Sequence, residues 1–270
     1  MKAVKATKEP KEPKASKEPA KVHHPKAVFW HPIAVFIFTI AIYYASQIIG
    51  AILVSLYPIA RHWHAEQMSS WLQNSNAAQF ILIAIIEATV IGMVYGLLRL
   101  KKKTFRFIGL AWPTLKDVLY ALSGFGVYVV GYFLLLGIIR VLVPGLDVDQ
   151  KQQIGFDASR HGLDLLLIFA SLVLLPPITE EILVRGFLYT GLRQKLKFVP
   201  ALLITSIVFA SAHLQAGSGA PLLWVAAIDT FILSVVLVYL REKTGKLAAP
   251  MMVHMLKNGI AFVVIFIFLK

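Results

Sequence analysis

Residues 163–193 read LDLLLIFASLVLLPPITEEILVRGFLYTGLR, and the middle of this stretch, Thr179-Glu180-Glu181-Ile182-Leu183-Val184-Arg185, decides how the rest is understood. Two adjacent carboxylates and a guanidinium sit inside a run otherwise apolar enough to lie in a bilayer. A charge at the centre of a spanning helix costs about 3 kcal/mol or more, so ionisable residues there are functional candidates by default. Outward from this stretch, 58% of the 270 residues are hydrophobic and 15% charged, with a mean hydropathy of +0.72. Soluble domains run at about 45–50% apolar and about 25% charged. The composition is that of an integral membrane protein.

A spanning helix needs roughly 20 mostly apolar residues. Seven stretches qualify: 33–59, 79–99, 118–143, 163–192, 198–214, 221–240 and 248–269. The fourth contains Pro176-Pro177, which remove two backbone donors and predict a kink or a break one turn before the glutamates. A re-entrant or broken segment there would raise the number to eight. The expected fold is therefore all-α, with about seven to eight transmembrane helices and a catalytic polar cavity among the C-terminal four.

Residues 1–28 are expected to form a disordered basic tail, with KEP occurring three times and eight Lys against three Glu. The polytopic domain is expected over 29–270, with its chemical core at about 163–260. The tail is too long and polar for a cleavable signal peptide, and no A-x-A-like site follows the first span. The net charge of +13 comes from residues clustered between apolar runs. Such clustering reads as a topology signal and gives no support to a nucleic-acid partner. With the N-terminus cytoplasmic, that side collects the tail, Arg99, Lys101, Lys102, Lys103, Arg106, Lys116, Arg193, Lys195, Lys197, Arg241, Lys243 and Lys246. The other side keeps Arg61, Arg140, Lys151, Arg160 and Lys270. This pattern suits a multi-pass protein of a prokaryotic plasma membrane, with lipids as its surroundings. The absence of cysteine excludes thiolate chemistry.

The ionisable residues within the spans are Glu87, Glu180, Glu181, Arg185, His213, Asp229, His254 and Lys257. Glu181 and Arg185 are four apart and share a helix face, so they can neutralise one another. That leaves Glu180 as a free carboxylate, able to act as a general base. The same three charges can equally tie helices together as a buried polar knot. His254 and Asn258 also share a face, and both can donate hydrogen bonds to one point. If spans four and five turn near Lys195–Lys197, Glu180 and His213 each lie about 20 Å from the turn, and Asn258 lies about 18 Å beyond Lys246. All three can meet at one depth. Asp229 and Lys257 are expected to pair and to be structural, with Glu87 joining them or lining the cavity.

The ordered set EExxxR (Glu180, Glu181, Arg185), FxxxH (Phe209, His213) and HxxxN (His254, Asn258) resembles the CPBP family, the CAAX prenyl proteases and bacteriocin-processing enzymes. The resemblance covers roughly 163–260. It implies an intramembrane endopeptidase acting on a membrane-associated peptide or protein. In it Glu180 and His213 would activate water, His254 and Asn258 would stabilise the oxyanion, and Glu181, Arg185 and Phe209 would give support. Glu180, His213 and His254 would also make a three-ligand catalytic zinc site. The metal-free alternative is preferred, because two carboxylates, one already paired to Arg185, make a poor His-rich site.

Other protease signatures are missing. There is no HExxH and no GxGD, and Gly217-Ser218-Gly219 follows Ala216 in a turn, outside a GxSG pattern. Two other classes remain open at this level. One is a non-catalytic immunity or scaffold protein, and the other is a small-solute transporter, whose best support is the Pro176-Pro177 break. His23-His24, His62 and His64 read as surface histidines of the tail and of a polar loop.

Overall fold

The computed structural model describes residues 29–147, 150, 155–156, 162–215 and 222–268. The tail with His23-His24, the Gly217-Ser218-Gly219 turn, and Lys151, Arg160 and Lys270 lie outside the described residues. Among the described residues the secondary structure is entirely helical. The long helices are α1 (Pro32–Ala60), α3 (Asn76–Leu100), α4 (Leu115–Leu142), α5 (Leu163–Arg193), α7 (Trp224–Thr244) and α8 (Ala248–Phe268), each apolar and long enough to cross a bilayer. The shorter ones are α2 (Ala65–Asn74) and α6 (Phe198–Ser211). The chain is a multi-pass integral membrane protein.

Two expectations change. The stretch 198–214 forms a helix of only 14 residues, about 21 Å at 1.5 Å per residue. A hydrocarbon core is about 30 Å thick. The described helices therefore include six full-length spans, with α6 falling short. The polar loop expected around His62 and His64 instead leads into α2. His64 N–H donates to Gln67 Oε1 at 2.9 Å, and the rings of Tyr57, Trp63 and Trp71 cluster beside it.

Start signals are local and conventional. Pro32 opens α1, where its missing N–H would be unpaired anyway. Ser75 Oγ accepts from Ala78 N–H at the start of α3. At the start of α4, Asp117 Oδ2 accepts from Thr114 N–H at 2.7 Å and from Lys246 Nζ at 3.0 Å, which ties α4 to the turn before α8.

Helix α5 does not break at Pro176-Pro177. It widens: residues 170–174 and 181–188 are π-helical, with Leu175 N–H reaching Ala170 O and Tyr189 N–H reaching Val184 O, five residues back in each case. The prolines then occupy the first positions of the short α-helical segment 175–180, where donors are dispensable. π-turns of this kind concentrate at functional sites. The half-helix that would have favoured a transporter is absent from α5.

Helix α5 is the axis of the molecule. Residues 181–189 are all buried, with α1, α3, α6, α7 and α8 packed around the helix. Gly191 permits the closest approach: a Cβ there would stand 2.5 Å from Val35 Cγ2 on α1. On the outside, Leu119, Leu122, Val127, Phe133, Leu134 and Ile138 of α4 are exposed. Such a belt of aliphatic surface is stable facing lipid and would be a liability in water.

Candidate active site

The carboxylate of Glu181 is the fixed point of the polar cluster. Its Oε1 accepts from Arg185 Nη1 at 2.8 Å, one helical turn ahead, and from His254 Nδ1 on α8 at 3.0 Å. Glu181 and Arg185 have no solvent exposure. The Arg185 guanidinium also lies over the Phe209 ring of α6, with Cζ 4.2 Å from its centroid. The pairing expected from the i,i+4 spacing is present, and it is fully enclosed.

Glu180 has a different environment. Its side chain is 32% exposed, and its Oε2 stands 3.8 Å from His254 Nε2, beyond direct hydrogen-bond range. Oε2 has no hydrogen-bond partner among the described residues. Glu87 on α3 lies close enough to act on Glu180 electrostatically, and it faces the Thr179 side chain. The site is thus not built by the last four helices alone, because α3 contributes a carboxylate.

Both histidines are held by their Nδ1 atoms. An ionised carboxylate only accepts, so His254 Nδ1 donates to Glu181. A carbonyl only accepts, so His213 Nδ1 donates to Phe209 O at 2.9 Å. In the neutral ring each Nε2 then carries a lone pair. Phe209 fixes the rings as well, with centroids 4.8 Å from that of His213 and 5.9 Å, edge-on, from that of His254. The spacing FxxxH places the phenylalanine carbonyl under its own histidine, one turn away.

One Asn258 amide hydrogen and the His254 Nδ1 proton go to different acceptors. Asn258 Nδ2 donates to Leu172 O at 2.9 Å. The helical donors for that carbonyl would be the N–H groups of residues 176 and 177, and both are proline. Asn258 supplies what the two prolines removed. Sequence spacing could not reveal this bond, because the acceptor is a backbone carbonyl 86 residues away.

Lys257 and Asp229 pair as expected, with Nζ to Oδ2 at 2.9 Å. Asp229 Oδ1 also accepts from Tyr128 O–H on α4. A tyrosine among aliphatic residues in mid-span was the available signal for that partner. Among the described residues no group of three His, Asp or Glu side chains is placed to hold a metal ion. Glu180, His213 and His254 as positioned do not fit a three-ligand zinc site.

Residues 162–260 match the family described as type II CAAX prenyl endopeptidase Rce1-like. Over these residues the chain is similar to the CAAX-protease (CPBP) family. The CPBP segment runs from the start of α5 to Ile260 and contains every residue of the three motifs, whereas Glu87 and Tyr128 lie before it. The family is one of intramembrane endopeptidases of the CAAX type. No curated protein and no solved structure matches the chain.

Proposed function

We propose that the protein hydrolyses a peptide bond of a membrane-associated peptide or protein, using water activated by Glu180. The observation that carries this reading is the 3.8 Å separation of Glu180 Oε2 and His254 Nε2, two acceptors too far apart to bond directly. A polar gap of this size suits one bridging water. Glu180 takes a proton from that water, whose oxygen attacks the scissile carbonyl carbon. The proton then passes to the leaving amine nitrogen as the C–N bond breaks. His254 accepts the second hydrogen of that water through Nε2, with Glu181 fixing its ring, and the Phe209 carbonyl fixes the ring of His213 nearby. Arg185 neutralises Glu181, so that of the two adjacent carboxylates Glu180 is the one left to take a proton. The chemistry needs no covalent acyl-enzyme.

The test is cleavage of a quenched fluorescent peptide library, lipid-anchored in nanodiscs, by the purified protein and its Glu180→Gln variant, each with and without a zinc chelator. The expected result is a fall of about 10²-fold to 10⁴-fold in the variant and indifference of the wild type to the chelator. Undiminished cleavage by the variant would sink the mechanism. Loss with chelator and recovery with zinc would move Glu180, His213 and His254 into a metal site.

A further inference from the structure

We propose that one end of the helical bundle is a docking surface for anionic phospholipid headgroups, made by the connection between α3 and α4 together with the N-terminal tail. The surface is separate from the polar site and owes nothing to the hydrolytic reading above.

Residues 99–116 read RLKKKTFRFIGLAWPTLK and hold six cations, Arg99, Lys101, Lys102, Lys103, Arg106 and Lys116, with no Asp or Glu. Among the described residues none of the six is in an ion pair. Two lie over aromatic rings instead: Lys101 Nζ is 4.2 Å from the Trp30 ring centroid, and Lys103 Nζ is 5.0 Å from that of Phe107. A ring face orients an ammonium without cancelling its charge. Elsewhere at this end of the bundle cations are neutralised within the protein, Arg193 by Glu242 and Lys246 by Asp117. The connection between α3 and α4 keeps its positive charge, and its complement is an anionic surface.

The apolar residues among these cations say which kind. Leu100, Trp112 and Leu115 are 72%, 89% and 75% exposed. Orientation in a membrane requires an excess of cations on one side, but not apolar side chains set between them. The headgroup layer suits both: tryptophan sits at its boundary with the hydrocarbon, and Lys and Arg meet the lipid phosphates. A nucleic acid would use the charge and leave the two leucines in water.

The tail adds charge at the same place. Phe29 is 5% exposed. Its ring packs on Phe107 of the connection, with centroids 5.1 Å apart, and on Phe187 of α5 at 5.5 Å. Trp30 Nε1 donates to Leu97 O at 3.3 Å. The chain before Phe29 is therefore attached beside the connection. There Lys2, Lys5, Lys8, Lys11, Lys14 and Lys17 recur at an interval of three, and Glu9, Glu12 and Glu18 keep a register of their own. A chain with three residues per turn, the period of a proline-rich segment, would carry these six lysines on one edge and the three glutamates on another. Topology alone asks for no such register.

The test titrates the delipidated full chain in detergent with phosphatidylglycerol and with phosphatidylcholine of identical acyl chains, counting bound lipid by native mass spectrometry. Phosphatidylglycerol should bind at least about fivefold more tightly, the gain of one cation near an anionic headgroup. That preference should shrink as ammonium acetate is raised from about 0.05 M to about 0.5 M. In Lys102→Gln/Arg106→Gln/Lys116→Gln, which alters three exposed side chains, the two lipids should bind within about twofold of one another. Replacing the six register lysines of the tail by Gln should weaken phosphatidylglycerol binding alone, and Trp112→Ala should weaken the binding of both lipids. Equal binding of the two lipids by the wild type would overturn the proposal, as would a full preference in the triple variant. A full preference in the tail variant would overturn the part given to the tail. Displacement of phosphatidylglycerol by duplex DNA of mixed sequence at equal phosphate concentration, undiminished in Trp112→Ala, would assign the surface to nucleic acid and overturn the lipid reading.

Discussion

Asn258 donates its amide hydrogen to the carbonyl of Leu172, a backbone acceptor that Pro176 and Pro177 leave without either helical donor. The third motif of the site and the proline pair that precedes the first motif are thus one structural device. Replacing Asn258 by Leu should leave this carbonyl unpaired in a dry interior and cost about 1–3 kcal/mol. The midpoint of thermal unfolding in detergent measures that cost. Asn258→Gln, with the same amide on a longer stem, should recover part of it.

Removing one partner of the Glu181–Arg185 pair should be far worse. Glu181→Leu leaves an enclosed guanidinium without its carboxylate, a loss of about 3–5 kcal/mol. The double variant Glu181→Leu/Arg185→Met should regain most of that stability, because both charges leave together. Peptide cleavage should not return with it, since His254 Nδ1 would still lack its acceptor. Paired unfolding and cleavage assays on the two variants check both halves.

Phe209→Leu should separate packing from chemistry. The ring lies against the Arg185 guanidinium and beside both histidines. Loss of a desolvated cation–π contact costs about 2 kcal/mol, read as a lower unfolding midpoint. With the rings less firmly held, kcat should fall while KM changes little.

Much of this arrangement was legible in the sequence, for stated physical reasons. Long apolar runs must be helices in lipid, because only helices and closed barrels satisfy their own backbones there. The contacts Glu181–Arg185 and Phe209–His213 follow from the i,i+4 period alone. Asp229 and Lys257 were matched because two charges within the spans had to be neutralised. Two features were hidden. The widened turns of α5 depend on which backbone bond wins, and Pro176-Pro177 suggested a break just as well. The end of α6 at Ser211 is invisible to hydropathy, since Ala212 and Leu214 continue the apolar run. Glu87 of α3 was legible as an ionisable residue expected to join the Asp229–Lys257 pair or line the cavity, although no periodic pattern ties it to Glu180, 93 positions on.

Gly191 makes a separate prediction about assembly. A valine there would collide with Val35, given the 2.5 Å approach of a Cβ, and would drive α1 away from the axial helix. The expected cost is about 1–3 kcal/mol. Val35→Ala in the same chain should restore much of it, and comparing the unfolding midpoints of the single and double variants checks the contact.

The 14-residue length of α6 has a consequence for the lipid around it. Val199, Leu203 and Ile207 of this helix face outward, so acyl chains beside α6 meet about 9 Å less protein than those beside a helix of full span. A mismatch of this kind costs fractions of a kcal/mol per ångström, relieved by local thinning of the bilayer. The thinning is centred on the helix whose end carries His213. Acyl-chain length is thereby coupled to the one histidine of the candidate site that sits at a helix end, and a polypeptide lying in the membrane would meet its thinnest hydrocarbon beside the groups proposed to activate water.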